Sequence, residues 1–210
     1  MADLIVQSLT GLAFGLVLFL VASGLSLIFG VMRIVNFAHG ALYMFGAYLA
    51  FEVTTRLAST PGKFFLAMLI APLAVALLGL AIEVLLLRRI YRREPLDQLL
   101  LTFALVFIAA DVARILWGAD FKSVKPPGFV DGSVVVLGRS FPQYYFLVWV
   151  IAALVAVGLW AFLYQTRAGL ICRAMVQDRA MTGALGVNTA RVYTAMFVLG
   201  AWLAGLGGVL

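Results

Sequence analysis

Few residues in this chain could do covalent or metal chemistry. There is one histidine, His39, and one cysteine, Cys172. A lone histidine cannot build a multi-histidine metal site, and Cys172 has no thiol or imidazole near it in the sequence. No H-E-x-x-H and no G-x-S-x-G nucleophile elbow occur. Asp111 is the only aspartate inside an apolar segment, so there is no aspartate pair. A phosphate-binding P-loop is missing too: Gly62-Lys63 is followed by Phe64, and Leu57 stands where its first glycine would be. No metal, cofactor or catalytic set is expected, and this chain cannot hydrolyse ATP by itself. What remains are solitary polar groups in apolar surroundings, chiefly Asn36, His39 and Tyr43, and a polar stretch around Arg173, Gln177, Asp178, Arg179 and Gly186.

The elements that must hold these groups follow from composition. Hydrophobic residues make up 65% and charged residues 11% of 210, against roughly 45–50% and about 25% in a soluble domain. Too few charges are present to cover a soluble fold, which excludes a cytosolic enzyme, a nucleic-acid-binding module and a disordered chain. The mean hydropathy of +1.11 and the long solid apolar runs point to an all-α, polytopic helical membrane protein. A transmembrane barrel would show short alternating segments. At ~20 residues per crossing, the length allows roughly five to seven spans. The net charge of +6 lies mostly in short loops, where it reports membrane orientation, not nucleic-acid binding. The N-terminus lacks the basic segment of a cleaved signal, so the first apolar run is read as a retained helix.

Six spans are expected in one transmembrane domain covering 1–210: 4–31, 34–51, 64–87, 99–117, 144–164 and 192–210. The second is short and rich in polar residues, and is either a crossing or a broken, partly re-entrant segment. Gly11 and Gly15, and Ser26 and Gly30, show the small-x-x-x-small spacing that lets helices approach closely in lipid. Asp111 and Arg114 lie three apart on one helical face, which suits a local ion pair. The stretch Gly118–Gln143 is long enough for a small structured excursion. With the Arg88–Arg93 loop placed in the cytoplasm, nine basic residues fall inside and six outside. The N-terminus is then periplasmic and the 165–191 loop cytoplasmic. The chain ends within an apolar run, Gly205–Leu210, and is read as a C-terminally truncated piece of a longer protein.

Two stretches carry the rest. In GLSLIFGVMRIVNFAHGALYMFGAY, Gly24–Tyr48, polar residues in hydrocarbon need a reason. Asn36 suits the N-cap of a helix beginning at Phe37, with His39 in its first turn. Two readings stand open: Asn36, His39 and Tyr43 line a translocation path, or they cap and staple the helix. Polar residues at a helix break near the bilayer midplane are a common transporter device. The second stretch, Thr166–Val209, opens as two short amphipathic helices joined near Gln177-Asp178. Asp178 would cap a helix over Arg179–Leu185, and Gly186 would stop it. Such a helix could dock in a partner's groove.

Together these stretches resemble the integral-membrane permease subunit of branched-chain amino acid ABC transporters, LivH type. The blocks NFAHG, LLLTFALVFIAADVARILWG and QDRAMTGALGV carry the likeness, which extends over essentially the whole chain. The GQxSLGH-like signature of the sister permease is absent. The resemblance implies an importer of the bacterial inner membrane, built with a second permease subunit, two ATP-binding subunits and a periplasmic solute-binding protein. It implies that 165–191 is the coupling loop, with Arg173, Gln177, Asp178, Arg179 and Gly186 at the ATPase contact. The family's usual small residue near 182 is Thr182 here, and family members continue for about two more crossings. Branched-chain amino acids are the family's default substrates, while urea, amides and aromatic acids are carried by similar permeases. The alternative is an ion-coupled secondary transporter or channel for small solutes, which would need ionisable groups deep in the spans; Glu83, Asp111 and His39 qualify loosely.

Overall fold

The computed structural model describes residues 2–91, 93–136 and 138–210. Its elements run α1 (Ala2–Met32), α2 (His39–Arg56), α3 (Lys63–Ile82), a π-helical turn (Glu83–Leu87), α4 (Arg88–Ile90), α5 (Pro95–Trp117), β1 (Ser133–Val136), β2 (Arg139–Pro142), α6 (Tyr144–Gln165), α7 (Arg167–Gln177), α8 (Arg179–Ala184) and α9 (Thr189–Val209). Five helical stretches among the described residues are long and apolar enough to cross a membrane: Asp3–Met32, Lys63–Ile90, Pro95–Trp117, Tyr144–Gln165 and Thr189–Val209. The protein is thus a polytopic bundle of membrane helices. The excursion in 118–143 is an antiparallel hairpin pairing Ser133 with Pro142.

The helix of the second expected span starts late. It begins at His39, not at residue 34, and falls outside the five apolar stretches. The reason is local. Arg33 adopts a left-handed backbone (φ 56) and its N–H returns to the Phe29 carbonyl at 2.8 Å, which ends α1. Residues 33–38 are non-helical, and the His39 N–H bonds the Asn36 carbonyl at 3.2 Å. Asn36 therefore does not cap α2; the N-cap position is Ala38, with no side-chain bond. α2 packs mostly against α9 and α3, and its buried face carries His39 and Thr54.

α9 is the central helix, packed against α1, α2 and α3, with most of its span buried. Small residues make this possible. A Cβ placed on Gly24 of α1 would lie 2.6 Å from the Gly200 carbonyl oxygen of α9, and one on Gly46 of α2 would overlap the Gly205 backbone. The spacings singled out in the sequence sit elsewhere. A Cβ at Gly11 or Gly15 would meet nothing within 4 Å, and one at Gly30 would only graze Val176 at 3.8 Å. Small residues permit close approach; which of them achieve it depends on which face meets α9.

The helices alternate, so each end of the bundle gathers distinct chemistry. At one end α1, α3 and α6 finish, and α7, α8 and the start of α9 pack over them. Met32, Leu87, Cys172, Met175 and Tyr193 share a core there. At the other end Trp117 stacks on Tyr48 (centroids 5.0 Å apart) and its indole N–H donates to Glu52 at 3.2 Å. Arg139 of the hairpin bonds Asp3 at 2.8 Å, and Phe64 meets Tyr144 edge to face.

Candidate functional site

The break between α1 and α2 turns one side into the bundle, burying Ile34, Asn36 and Ala38 and leaving Arg33, Val35 and Phe37 exposed. The His39 ring nitrogen Nε2 is 3.0 Å from the Val21 carbonyl oxygen. A carbonyl only accepts, so Nε2 carries the proton. Beside it, Gly24 leaves room for the ring: a Cβ there would sit 3.2 Å from the His39 Cε1 and Nε2 atoms. At 1.5 Å rise per residue, Gly24 is about 12 Å back along α1 from Met32. Residues 33–38 therefore climb back into the bundle, and α2 begins at depth. Thr102 of α5 faces the same segment, its hydroxyl 3.4 Å from the Val35 carbonyl, and Phe37 packs edge to face on Phe103.

Asn36 and His39 are both buried in this break. Among the described residues, Asn36 Oδ1, Asn36 Nδ2 and His39 Nδ1 have no hydrogen-bond partner. Buried polar atoms are nearly always paired, so three orphans in four residues mark this as the least satisfied place in the interior. An α-helix N-terminus also carries free N–H groups and partial positive charge. The break can therefore receive an acceptor or an anionic group in an otherwise apolar setting.

Tyr43, one turn further along α2, opens onto a cavity of about 790 Å³ at the end opposite α7 and α8. Tyr48, Phe51, Phe64, Tyr144 and Tyr145 give it aromatic walls, and Asp120 and Lys122 supply charge. Lys122 Nζ lies 3.9 Å from Asp120 and 5.8 Å from the centre of the Phe51 ring. Aromatic walls with a few convergent polar groups suit a small solute. The structure thus brings Tyr43 to the cavity and leaves Asn36 and His39 deeper, outside its lining.

The two short helices form as the sequence predicts. Asp178 Oδ1 accepts from the Met181 N–H at 2.9 Å, which caps α8, and Gly186 (φ 88) follows its end. Thr166 caps α7 in the same way, accepting from Gly169 at 3.0 Å. Gln177, Asp178, Arg179 and Gly186 are exposed and Arg173 is half-buried. The arginines turn back onto the bundle: Arg173 lies over the Tyr164 ring at 4.8 Å, and Arg179 over Tyr193 at 5.3 Å. Thr182 is buried, its hydroxyl donating to the Asp178 carbonyl at 2.7 Å, so it does not alter the outward face. Met181 and Leu185 supply that face, both largely exposed. Cys172 is buried against Met196, its sulfur 3.3 Å from the thioether, and burial pushes its thiol pKa up. Asp111 and Arg114 are exposed and 4.0 Å apart, a loose intrahelical pair.

Sequence reasoning passed over two features. Lys122 and Asp120 sit in a loop whose path only the fold reveals. Met181 and Leu185 lie four apart, a helical spacing that could have flagged an exposed apolar edge.

A bundle of membrane helices with a non-helical break between α1 and α2, a solute-sized cavity at one end and two capped surface helices at the other suits a solute permease subunit. The family model described as branched-chain amino acid transport system / permease component matches residues 7–210, and the chain belongs to that family. It is 30% identical over 212 residues to the high-affinity branched-chain amino acid transport system permease protein BraD of Pseudomonas aeruginosa, a match covering 97% of this chain and 69% of BraD. It is 28% identical over 214 residues to LivH of Salmonella typhimurium, with the same coverage. Identity to the probable LivH of Methanocaldococcus jannaschii is 24% over 197 residues, 91% of this chain and 61% of that protein. No solved structure matches the chain.

Proposed function

We propose that this chain forms half of the translocation path of an ATP-driven importer for branched-chain amino acids. It works with a second permease subunit, two ATP-binding subunits and a periplasmic solute-binding protein. Family membership over residues 7–210 carries the reading. The basic end, with Arg33, Arg88, Arg89 and Arg93 beside α7 and α8, faces the cytoplasm; Arg92, the remaining arginine of that cluster, lies outside the described residues. The N-terminus and the aromatic cavity face the periplasm.

In this reading α8 meets the ATP-binding subunit through Met181 and Leu185, with Gln177, Asp178 and Gly186 fixing its pose and Arg173 and Arg179 anchoring the loop to the bundle. Solute enters the cavity beside Tyr43. Its carboxylate is drawn toward the α2 N-terminus, where Asn36 Nδ2 is an unpaired donor, while His39 Nδ1 is left to accept from the solute's ammonium group. Closure of the ATP-binding subunits displaces α8 and shifts the bundle between outward- and inward-open packings, which requires different affinities in the two states. The test is copurification of ATP-binding subunits with the tagged permease, followed by radiolabelled leucine uptake in proteoliposomes. Copurification and ATP-dependent uptake are expected; a permease that purifies alone and moves leucine on an ion gradient overturns the reading. For the pathway, His39→Ala should depress uptake while membrane insertion persists. Uptake at the normal rate would show that the ring only staples α1 to α2.

A further inference from the structure

Glu83 opens the π-helical turn at the end of α3, and its side chain is wholly inaccessible to solvent. A carboxylate so buried is costly unless its oxygens are paired. Both are. The Tyr91 hydroxyl donates to Oε1, and the Thr194 hydroxyl of α9 lies 2.9 Å from Oε2. Arg88 places its Nε 3.6 Å from Oε1, and a second guanidinium nitrogen donates to the Thr194 oxygen at 2.7 Å. One acid thus joins three groups contributed by α4, the turn after it and the first turns of α9.

The knot continues toward the surface. Tyr91 meets Tyr193 edge to face, centroids 5.2 Å apart, and the Arg179 guanidinium of α8 covers the Tyr193 ring. An unbroken line of contacts therefore runs from α8 through Tyr193 and Tyr91 to Glu83. Apolar residues could hold the same helix ends together without burying a charge, and such replacements are often neutral or stabilising. π turns inside α-helices also concentrate at functional sites.

We propose that Glu83 is a positioning residue for transport: with Arg88, Tyr91 and Thr194 it locks the end of α3 to the start of α9, so that displacement of α8 through Arg179 and Tyr193 moves both spans as one body. This rests on the importer reading above and names the joint through which the bundle is driven. α9 touches α1 and α2 as well, so motion entering at this joint reaches the helix break and the cavity.

The test uses the assembled transporter in proteoliposomes that take up radiolabelled leucine, scored as leucine moved per ATP hydrolysed. Tyr91→Phe keeps the ring contacts and removes one hydrogen bond to Glu83. Thr194→Val keeps side-chain volume and removes the other; Thr194→Ser restores the hydroxyl. Both deletions should lower leucine moved per ATP about fivefold while the ATP-binding subunits still copurify, and Thr194→Ser should recover most of the loss. A merely structural knot would lower the thermal midpoint and leave that ratio alone. An unchanged ratio in Tyr91→Phe and Thr194→Val, with subunits still bound, overturns the inference and spares the importer reading. Failure of the unmodified chain to bind ATP-binding subunits sinks the importer reading itself.

Discussion

Cys172 shows how burial governs a single side chain's chemistry. Its thiol sits in the core between α7 and α9, and desolvation favours the neutral form. The thiolate is the reactive species, so a maleimide should label the native protein slowly at pH 7 and faster as the pH rises beyond the ordinary thiol range. Labelling in native and denatured protein across pH 6–10 checks this; equal rates at pH 7 would contradict the burial. The linkage has a definite sign. A pKa raised on folding contributes stability that is intact below the unfolded thiol's pKa and fades as the pH climbs through the folded one. Asn36 and His39 illustrate what sequence can deliver at this scale. Their types announce a polar site in an apolar segment, yet the capping role assigned to Asn36 fails because Phe37 and Ala38 form a turn before the helix starts. One residue's backbone angle, at Arg33, displaces everything after it, and no periodicity records that angle.

Helix packing makes its own prediction. Replacing Gly200 by leucine would drive a side chain into Ile28 and the Gly24 carbonyl, because even a Cβ there lies 2.7 Å from Ile28 Cδ1. Overpacking of this kind costs about 1–3 kcal/mol or more, so the thermal midpoint in detergent should fall clearly. Gly11→Leu, on an open face of α1, should leave it nearly unchanged. For α8, Asp178→Ala removes the cap and about 1 kcal/mol of helix stability, and Asp178→Asn keeps it. Substrate-stimulated ATP hydrolysis should drop with alanine and survive with asparagine; equal loss in both would mean that the charge, not the cap, matters. The long apolar helices other than α2 and both short helices were legible because hydrophobic runs, Asp178 and Gly186 act locally. The close-packed glycines were not, since spacing within one helix cannot say which neighbour it meets. Glu83 read as a polar residue near a span end; its partners Arg88, Tyr91 and Thr194 become one cluster only when α9 folds back across α3.

For the whole molecule, the proposed orientation makes the two ends chemically addressable. In a Cys172→Ser background, a cysteine at Leu185 should react only with reagent delivered from the cytoplasmic side, and one at Phe121 only from the periplasmic side. Reversed labelling would overturn the importer reading at its root. The exit of α1 bears on this balance. Arg33 holds a left-handed conformation that glycine would adopt without penalty, and its side chain is exposed to solvent. Arg33→Gly would therefore relax the backbone by roughly 1 kcal/mol while deleting one positive charge from the rim that the proposed orientation places inside. Under that orientation, a more comfortable chain would be a less decisively inserted one.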